Sequence, residues 1–372
     1  MAHQAASTAL HPALDTRLCD IFGVRYPIIQ TAMGWVATPE LVAGTANAGA
    51  MGFLACAVQR ADEADRSIAR VQELTDRPFG VNFLMEQPGA EQIVESIVRR
   101  GVKAASYSRS PNAKFIDRLK SAGVVCVPTV GAPKHAAKAV KLGADVIVAQ
   151  GGEGGGHTGS IPTSLLLPQV IDAVGVPVAA AGGFHDGRGL VAALAFGADG
   201  IAMGTRFLLT QESPVPRATI ERYFKASVED VFVTTKVDGM PQRVIRNELV
   251  EKLESSGPVA LLATALQSGL AYRKLTGASI RQLLGAAFRL QRDDKLTRSQ
   301  MLMAANAPIL IQRAMVEGRP SEGVLPSGQV AGLITDLPTC ADLIARIISQ
   351  AEERLAALAS GAHTERKERK HG

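Results

Sequence analysis

The sequence predicts an α/β protein, a (β/α)8 TIM barrel with a mainly helical insertion after strand eight. Short apolar runs bounded by Gly or Pro recur eight times, each followed by a helix-period stretch, the alternation of a parallel sheet covered by helices. The chain's 372 residues suit one barrel of roughly 250 residues plus an accessory segment. Three glycine-bearing loops also follow apolar strands at the spacing of successive barrel units: Gln150-Gly-Gly-Glu-Gly-Gly-Gly-His-Thr-Gly159, Ala181-Gly-Gly-Phe184 and Met203-Gly-Thr-Arg206.

Strands are expected near Pro27 to Thr31, Gly52 to Ala55, Phe79 to Phe83, Val102 to Tyr107, Val124 to Thr129, Asp145 to Gln150, Val178 to Gly182 and Gly200 to Gly204. Thr38-Pro39-Glu40 offers an N-cap followed by Pro at the first helical position, and Ser110-Pro111-Asn112 repeats the signal. Gly123, Gly143 and Gly197 lie just past helix ends, where a left-handed cap is wanted. Closure into a barrel suits these units better than a doubly wound open sheet, the alternative that local pattern leaves standing.

After Phe207 the alternation stops, and about Thr210 to Leu337 reads as loops and amphipathic helices with no new sheet, before a final helix from Cys340 to Leu358. The turn Val324-Leu-Pro-Ser-Gly-Gln-Val330 either folds back over the site or stays a surface loop. The expected organisation is an N-terminal extension over 1–20, a cofactor-binding barrel over 21–209 and 339–360, a helical insertion or cap over 210–338, and a disordered basic tail over 361–372.

The hydrophobic fraction is 47% and the aromatic fraction only 4%, so the core must be built from Ala, Val, Leu and Ile. Part of the net charge of +5 sits in His363-Thr-Glu-Arg-Lys-Glu-Arg-Lys-His-Gly372, a solvated run rather than a nucleic-acid arm. Four scattered cysteines, Cys19, Cys56, Cys126 and Cys340, support neither a metal site nor a disulfide framework. No apolar run of about 18 residues and no signal peptide is seen, so a cytoplasmic protein that binds neither membrane nor nucleic acid is expected, with a homo-oligomer left open.

Barrel active sites lie at the C-terminal ends of the strands, with phosphate commonly on the loops after strands seven and eight. Gly182 and Gly183 follow strand seven, and Gly204 and Thr205 follow strand eight, so backbone N–H groups there can approach an anion. The helix opening at Asp186-Gly-Arg-Gly189 is expected to add its positive end. Asn82 and Gln150 end strands three and six with amides that suit the edge of a heterocycle or a ribityl hydroxyl, and Met33 after strand one brings backbone toward a flat ring. His157 is the candidate acid or base, because a free imidazole titrates near ~6.5. His135 and His185 are the alternatives, and Arg206, Arg243 and Arg246 read as surface arginines, with contact to the phosphates of a substrate as the second reading. A zinc site and a serine hydrolase lack their spacings.

With these residues in view, the chain resembles the FMN-dependent barrel family of nitronate monooxygenases (2-nitropropane dioxygenases) and flavin-dependent enoyl-ACP reductases. The matching motifs are Pro27-Ile-Ile-Gln-Thr-Ala-Met33, Gly80-Val-Asn82, Gln150 through Gly159, Ala181-Gly-Gly183 and Met203-Gly-Thr-Arg-Phe207. Gly154, where Ala is usual in the monooxygenases, and Gly34-Trp35 look more like a branch of CoA-thioester dehydrogenases from bacterial steroid degradation. Val237-Asp-Gly-Met-Pro241 and Asn247-Glu-Leu-Val-Glu251 also resemble that branch.

The resemblance implies FMN at the barrel mouth, its phosphate on Gly182, Gly183, Gly204 and Thr205, with Met33, Asn82 and Gln150 near the ring or ribityl chain and His157 as base. The favoured reaction is α,β-desaturation of a CoA thioester, or its reverse, with NAD(P) a candidate redox partner. Oxidation of alkyl nitronates with oxygen is the alternative, and a non-catalytic flavin-binding sensor or interaction protein represents another class. The substrate's hydrophobic mouth is expected from Trp35, Phe83 and the insertion.

Overall fold

The computed structural model describes residues 10–108, 111–256 and 298–361. Eight parallel strands close into a barrel. They are β1 (Ile28–Gln30), β2 (Met51–Ala55), β3 (Gly80–Asn82), β4 (Ala104–Tyr107), β5 (Val125–Val130), β6 (Ile147–Gln150), β8 (Val178–Ala181) and β9 (Gly200–Met203). The ring closes where β9 pairs with β1, Ile29 opposite Ala202. Each lies within an expected strand or one residue beyond it, because strands buried on both faces read as continuous apolar runs.

Alternation along these strands sorts the core. Ile29, Phe53, Val125, Val127, Val148, Ala179, Ala181 and Ala202 cluster inside the barrel. Phe53 fills the interior over Gly80, where an added Cβ would lie 2.3 Å from its ring. Below it Phe22 meets Phe53 edge-on, centroids 6.2 Å apart. Phe22 belongs to α1 (Arg17–Phe22), which with buried Leu14 and Leu18 plugs the N-terminal end of the barrel. The small Ala181 and Ala202 leave the opposite end open.

The outer ring comprises α2 (Pro39–Asn47), α3 (Ala61–Leu74), α4 (Ala90–Arg99), α5 (Ala113–Ser121), α6 (Pro133–Lys141), α7 (Thr163–Ala173) and α8 (Gly187–Ala195). Pro39 opens α2 as expected, and Gly123, Gly143 and Gly197 all have φ between 76° and 102°. The expected start of α5 is corrected: Asn112 is the N-cap, its side chain accepting from Phe115 N, so Pro111 precedes the helix, and Ser110 lies outside the described residues.

Beyond the short α9 (Thr205–Leu208), the insertion carries α10 (Arg217–Lys225), α11 (Glu248–Ser255) and α12 (Arg298–Met315). It also carries a sheet that the sequence reading did not expect. Strands β10 (Val231–Thr234) and β11 (Gln242–Ile245) form an antiparallel hairpin, and β11 pairs with β7 (Gly156–His157) from the glycine loop after β6. The last helix, α13 (Cys340–Ala359), packs on α8 and α2 and so bridges the seam of the ring. The basic run from His363 onward lies outside the described residues. Among the described residues no helix is long and apolar enough to cross a membrane.

Candidate active site at the barrel mouth

The loop from Gln150 to Gly159 is folded by its own small residues. The Gln150 side chain lies across Gly154, where an added Cβ would sit 2.7 Å from Gln150 Nε2. That amide donates to His157 O at 2.9 Å. At Gly155 an added Cβ would meet Gly328 N at 2.5 Å. These glycines are therefore packing requirements. Gln150 is also less free than the sequence suggested, since its amide nitrogen is committed to holding the histidine loop.

His157 is held from the insertion. Its Nε2 lies 2.7 Å from Asp238 Oδ2, and Gln242 Nε2 donates to the same carboxylate oxygen at 2.5 Å. Gln242 Nε2 is also 3.1 Å from His157 Nε2. Two donors converging on one carboxylate assign the imidazole proton to Nε2, leaving Nδ1 as the lone-pair nitrogen. The Asp238 carboxyl is held below its usual range: burial pushes it up, but hydrogen bonds from His157, Met240 N–H and Gln242 outweigh that. The imidazole is about half exposed, at 48%, whereas the Asp238 side chain is only 10% exposed.

Asp238 and Gln242 were missed as site residues. Asp238 lies in the Val237–Pro241 motif noted above, and Asp-Gly within it is a hairpin-turn signal that would have suggested β10 and β11. Arg243 is a brace: its Nε and a terminal nitrogen donate to Gly152 O at 2.9 and 2.7 Å. Buried Arg206 pairs with Asp336 at 2.7 Å, and Arg246 stacks 4.4 Å over Phe232. Arg206 and Arg243 are thus spent on the fold.

Met33, Asn82, Gln150, His157, Gly182, Gly183, Gly204 and Thr205 all line one cavity of about 1150 Å3 at the open end of the barrel. That exceeds the roughly 300–1,000 Å3 of an ordinary small-molecule site and leaves room for a cofactor beside a substrate. Asn82 donates through Nδ2 to Ser106 Oγ at 2.9 Å, leaving its carbonyl oxygen for a ligand. Met33 packs beside Gly204, where an added Cβ would lie 3.4 Å from the sulfur.

Gly182 and Gly183 have φ of 97° and 88°, a consecutive left-handed pair that side-chain-bearing residues rarely adopt. Facing them, Thr205 Oγ1 accepts from Gly328 N at 2.8 Å and keeps its own proton for an acceptor. The Val324–Val330 turn therefore does fold back over the site, anchored again by Gln329 N to Glu153 O at 3.0 Å. Left-handed glycines facing a threonine hydroxyl make a cradle that fits a phosphate group such as that of a flavin mononucleotide. The expected contribution of α8 is corrected: Asp186 caps it by accepting from Gly189 N, and Gln350 accepts from Gly187 N.

The alternatives to His157 separate clearly. His185 is outside the cavity lining, 3.7 Å from Asp186, and burial lowers its pKa despite that neighbour. His135 lines the cavity from α6. Phe83 does not join the mouth, because alternation turns it into the core beneath the helices, and partly exposed Leu84 and Val58 line the cavity with Trp35 instead. Among the described residues no group of His, Cys, Asp or Glu could hold a metal ion.

Residues 15–350 match the family profile Nitronate monooxygenase. The chain is 48% identical to the (3aS,4S,5R,7aS)-5-hydroxy-7a-methyl-1-oxo-octahydro-1H-indene-4-carboxyl-CoA dehydrogenase of Rhodococcus jostii, over 93% of this chain and 98% of that protein. It is 49% identical to the dehydrogenase of the same name from Mycobacterium tuberculosis, over 91% and 96% respectively. Among solved structures, FabK from Thermotoga maritima superposes with a TM-score of 0.75 at 30% identity, covering 93% of this chain and 99% of that one. The chain belongs to the nitronate monooxygenase family and is a flavin-dependent oxidoreductase.

Proposed function

We propose that the protein is an FMN-dependent dehydrogenase or reductase of a CoA thioester, acting across the α and β carbons of the acyl group. The observation that carries this reading is the His157–Asp238–Gln242 arrangement at the cavity: a base held in one tautomer, with Nδ1 available, beside a glycine cradle. The names of the two dehydrogenases supply the substrate class.

In this reading Gly182, Gly183, Gly204 and Thr205 hold the FMN phosphate, and Met33, Asn82 and Gln150 border the ring and ribityl chain. FMN supplies a two-electron acceptor for hydride when bound. His157 Nδ1 removes the proton α to the thioester, and Asp238 stabilises the imidazolium that forms. With the β-hydride also removed, the acyl group becomes α,β-unsaturated; in the reverse direction His157 returns the proton. Trp35, Val58 and Leu84 offer an apolar wall for the acyl part. NAD(P) is the proposed partner that exchanges electrons with the cofactor.

Nitronate oxidation, the activity in the family's name, is the second reading. The deciding experiment is an anaerobic titration of the flavin spectrum with an alkyl nitronate, NADH, and saturated and unsaturated bicyclic acyl-CoA esters. Bleaching by thioester or NADH, with recovery on adding the opposite partner, is expected; bleaching by nitronate alone overturns the proposal. His157→Ala is expected to retain FMN and lose at least ~100-fold in turnover of a substrate that must give up an α-proton. An unchanged rate removes His157 from the role.

A further inference from the structure

We propose that the α5–α6 flank of the mouth binds the phosphate-bearing arm of coenzyme A, with His135 and Lys138 meeting its phosphates. This inference rests on the CoA-thioester reading and says where that substrate lies.

The cationic residues of α6 are unspent. Its sequence, Pro-Lys-His-Ala-Ala-Lys-Ala-Val-Lys, carries Lys134, His135, Lys138 and Lys141 and no acid. Among the described residues none of these four has an ion-pair or side-chain hydrogen-bond partner. The neighbouring cations on α5 differ: Lys114 pairs with Glu91, Arg118 with Glu95 and Lys120 with Asp145. His135 and Lys138 line the cavity that also contains His157. The helix begins directly after β5, so its positive N-terminal end lies at the mouth.

A branch of the cavity runs toward these cations. Tyr107 and Ile116 line it on the α5 side, and Ala139 and Leu142 on the α6 side. Helices α4 and α5 pack together, as do α6 and α7, more extensively than α5 packs on α6. Tyr107 is only 2% exposed and its hydroxyl is enclosed beside the Cys126 thiol, so it serves this branch as wall. Across the cavity the lining is apolar at Trp35, Val58 and Leu84. An apolar wall at one end and free cations at the other match a molecule that is an apolar acid at one end and a polyphosphate at the other.

The test is isothermal titration of the FMN-loaded full-length protein with CoA and with adenosine 3′,5′-bisphosphate at low salt, where exposed charge pairing is least screened. Lys138→Glu is expected to weaken both probes at least ~10-fold with flavin content and thermal melting unchanged. Lys225→Glu, a charge reversal on α10 outside the cavity lining, is the control and should bind as the parent does. CoA bound equally by parent and Lys138→Glu overturns this site while leaving the thioester reading intact. Equal weakening by Lys225→Glu reduces the effect to net charge and overturns it too. A parent protein that binds no CoA but oxidises nitronate removes both proposals.

Discussion

At the level of single residues, the site is a set of side chains whose freedom has been removed. Asp238 accepts from His157 Nε2, Gln242 Nε2 and Met240 N, so it fixes the ring's tautomer as well as its position. Asp238→Asn offers a donor where His157 needs an acceptor, and kcat for α-proton removal is expected to fall at least ~100-fold with FMN retained. Equal rates in the two proteins would falsify the positioning role. The stability consequence has a definite sign. Because the carboxyl is held below its usual range, its contribution is full above the ordinary carboxylate pKa of about 4 and fades as pH falls through the depressed value. Thermal melts should therefore separate the parent from Asp238→Asn at about pH 6, by a margin that narrows as the pH is lowered through the acid range. His157 was legible from its glycine loop. Its partner was not, because Asp238 lies 81 residues away and nothing local pairs the two.

The element that organises the site is the small sheet formed by β7, β10 and β11, which draws the histidine loop from the barrel and a hairpin from the insertion into one ladder. Register places Gln242 opposite His157 and Arg243 opposite Gly156. One strand thus supplies the amide beside the imidazole and the guanidinium that clamps Gly152 O. Removing that clamp by Arg243→Ala is expected to cost about 2 kcal/mol in urea denaturation and to speed hydrogen exchange across residues 151–159. Unchanged exchange there would mean that the sheet alone holds the loop. The hairpin escaped sequence reading because Val231–Thr234 and Gln242–Ile245 mix polar with apolar residues, whereas the barrel strands are largely apolar runs bounded by Gly or Pro. Gly154 was noted as a departure from the family pattern. Its reason lies in how the loop folds on itself, since the Gln150 side chain occupies the volume a methyl group would take.

Across the whole molecule, the insertion is tied back to the barrel through Arg206, 3% exposed, which binds Asp336 and also donates to Leu209 O. Arg346 on α13 reaches the same carboxylate. The contact links the loop after β9, the end of the insertion and the helix that bridges the ring. Desolvation of a guanidinium is costly, and here it lowers the Arg206 pKa against the opposing influence of Asp336. Asp336→Ala is expected to destabilise the protein by about 3 kcal/mol, read as a lower urea midpoint. A midpoint unchanged within error would locate the tie elsewhere. Sequence position made Arg206 a candidate for the substrate's phosphates, and burial made it a structural group.

Sequence by itself determined the barrel, its eight strands, the glycine loops after its last strands and the histidine that faces the cavity. Those features are local: apolar runs, helix periods and glycine spacing are written within a few residues of where they act. Tertiary structure alone decided which groups surround that histidine, that Asp186 and Gln350 close the end of α8, that Phe83 turns inward, and which cations stay free. Each of these depends on contacts between distant segments, where burial and competition for hydrogen bonds assign a side chain to ligand or to fold.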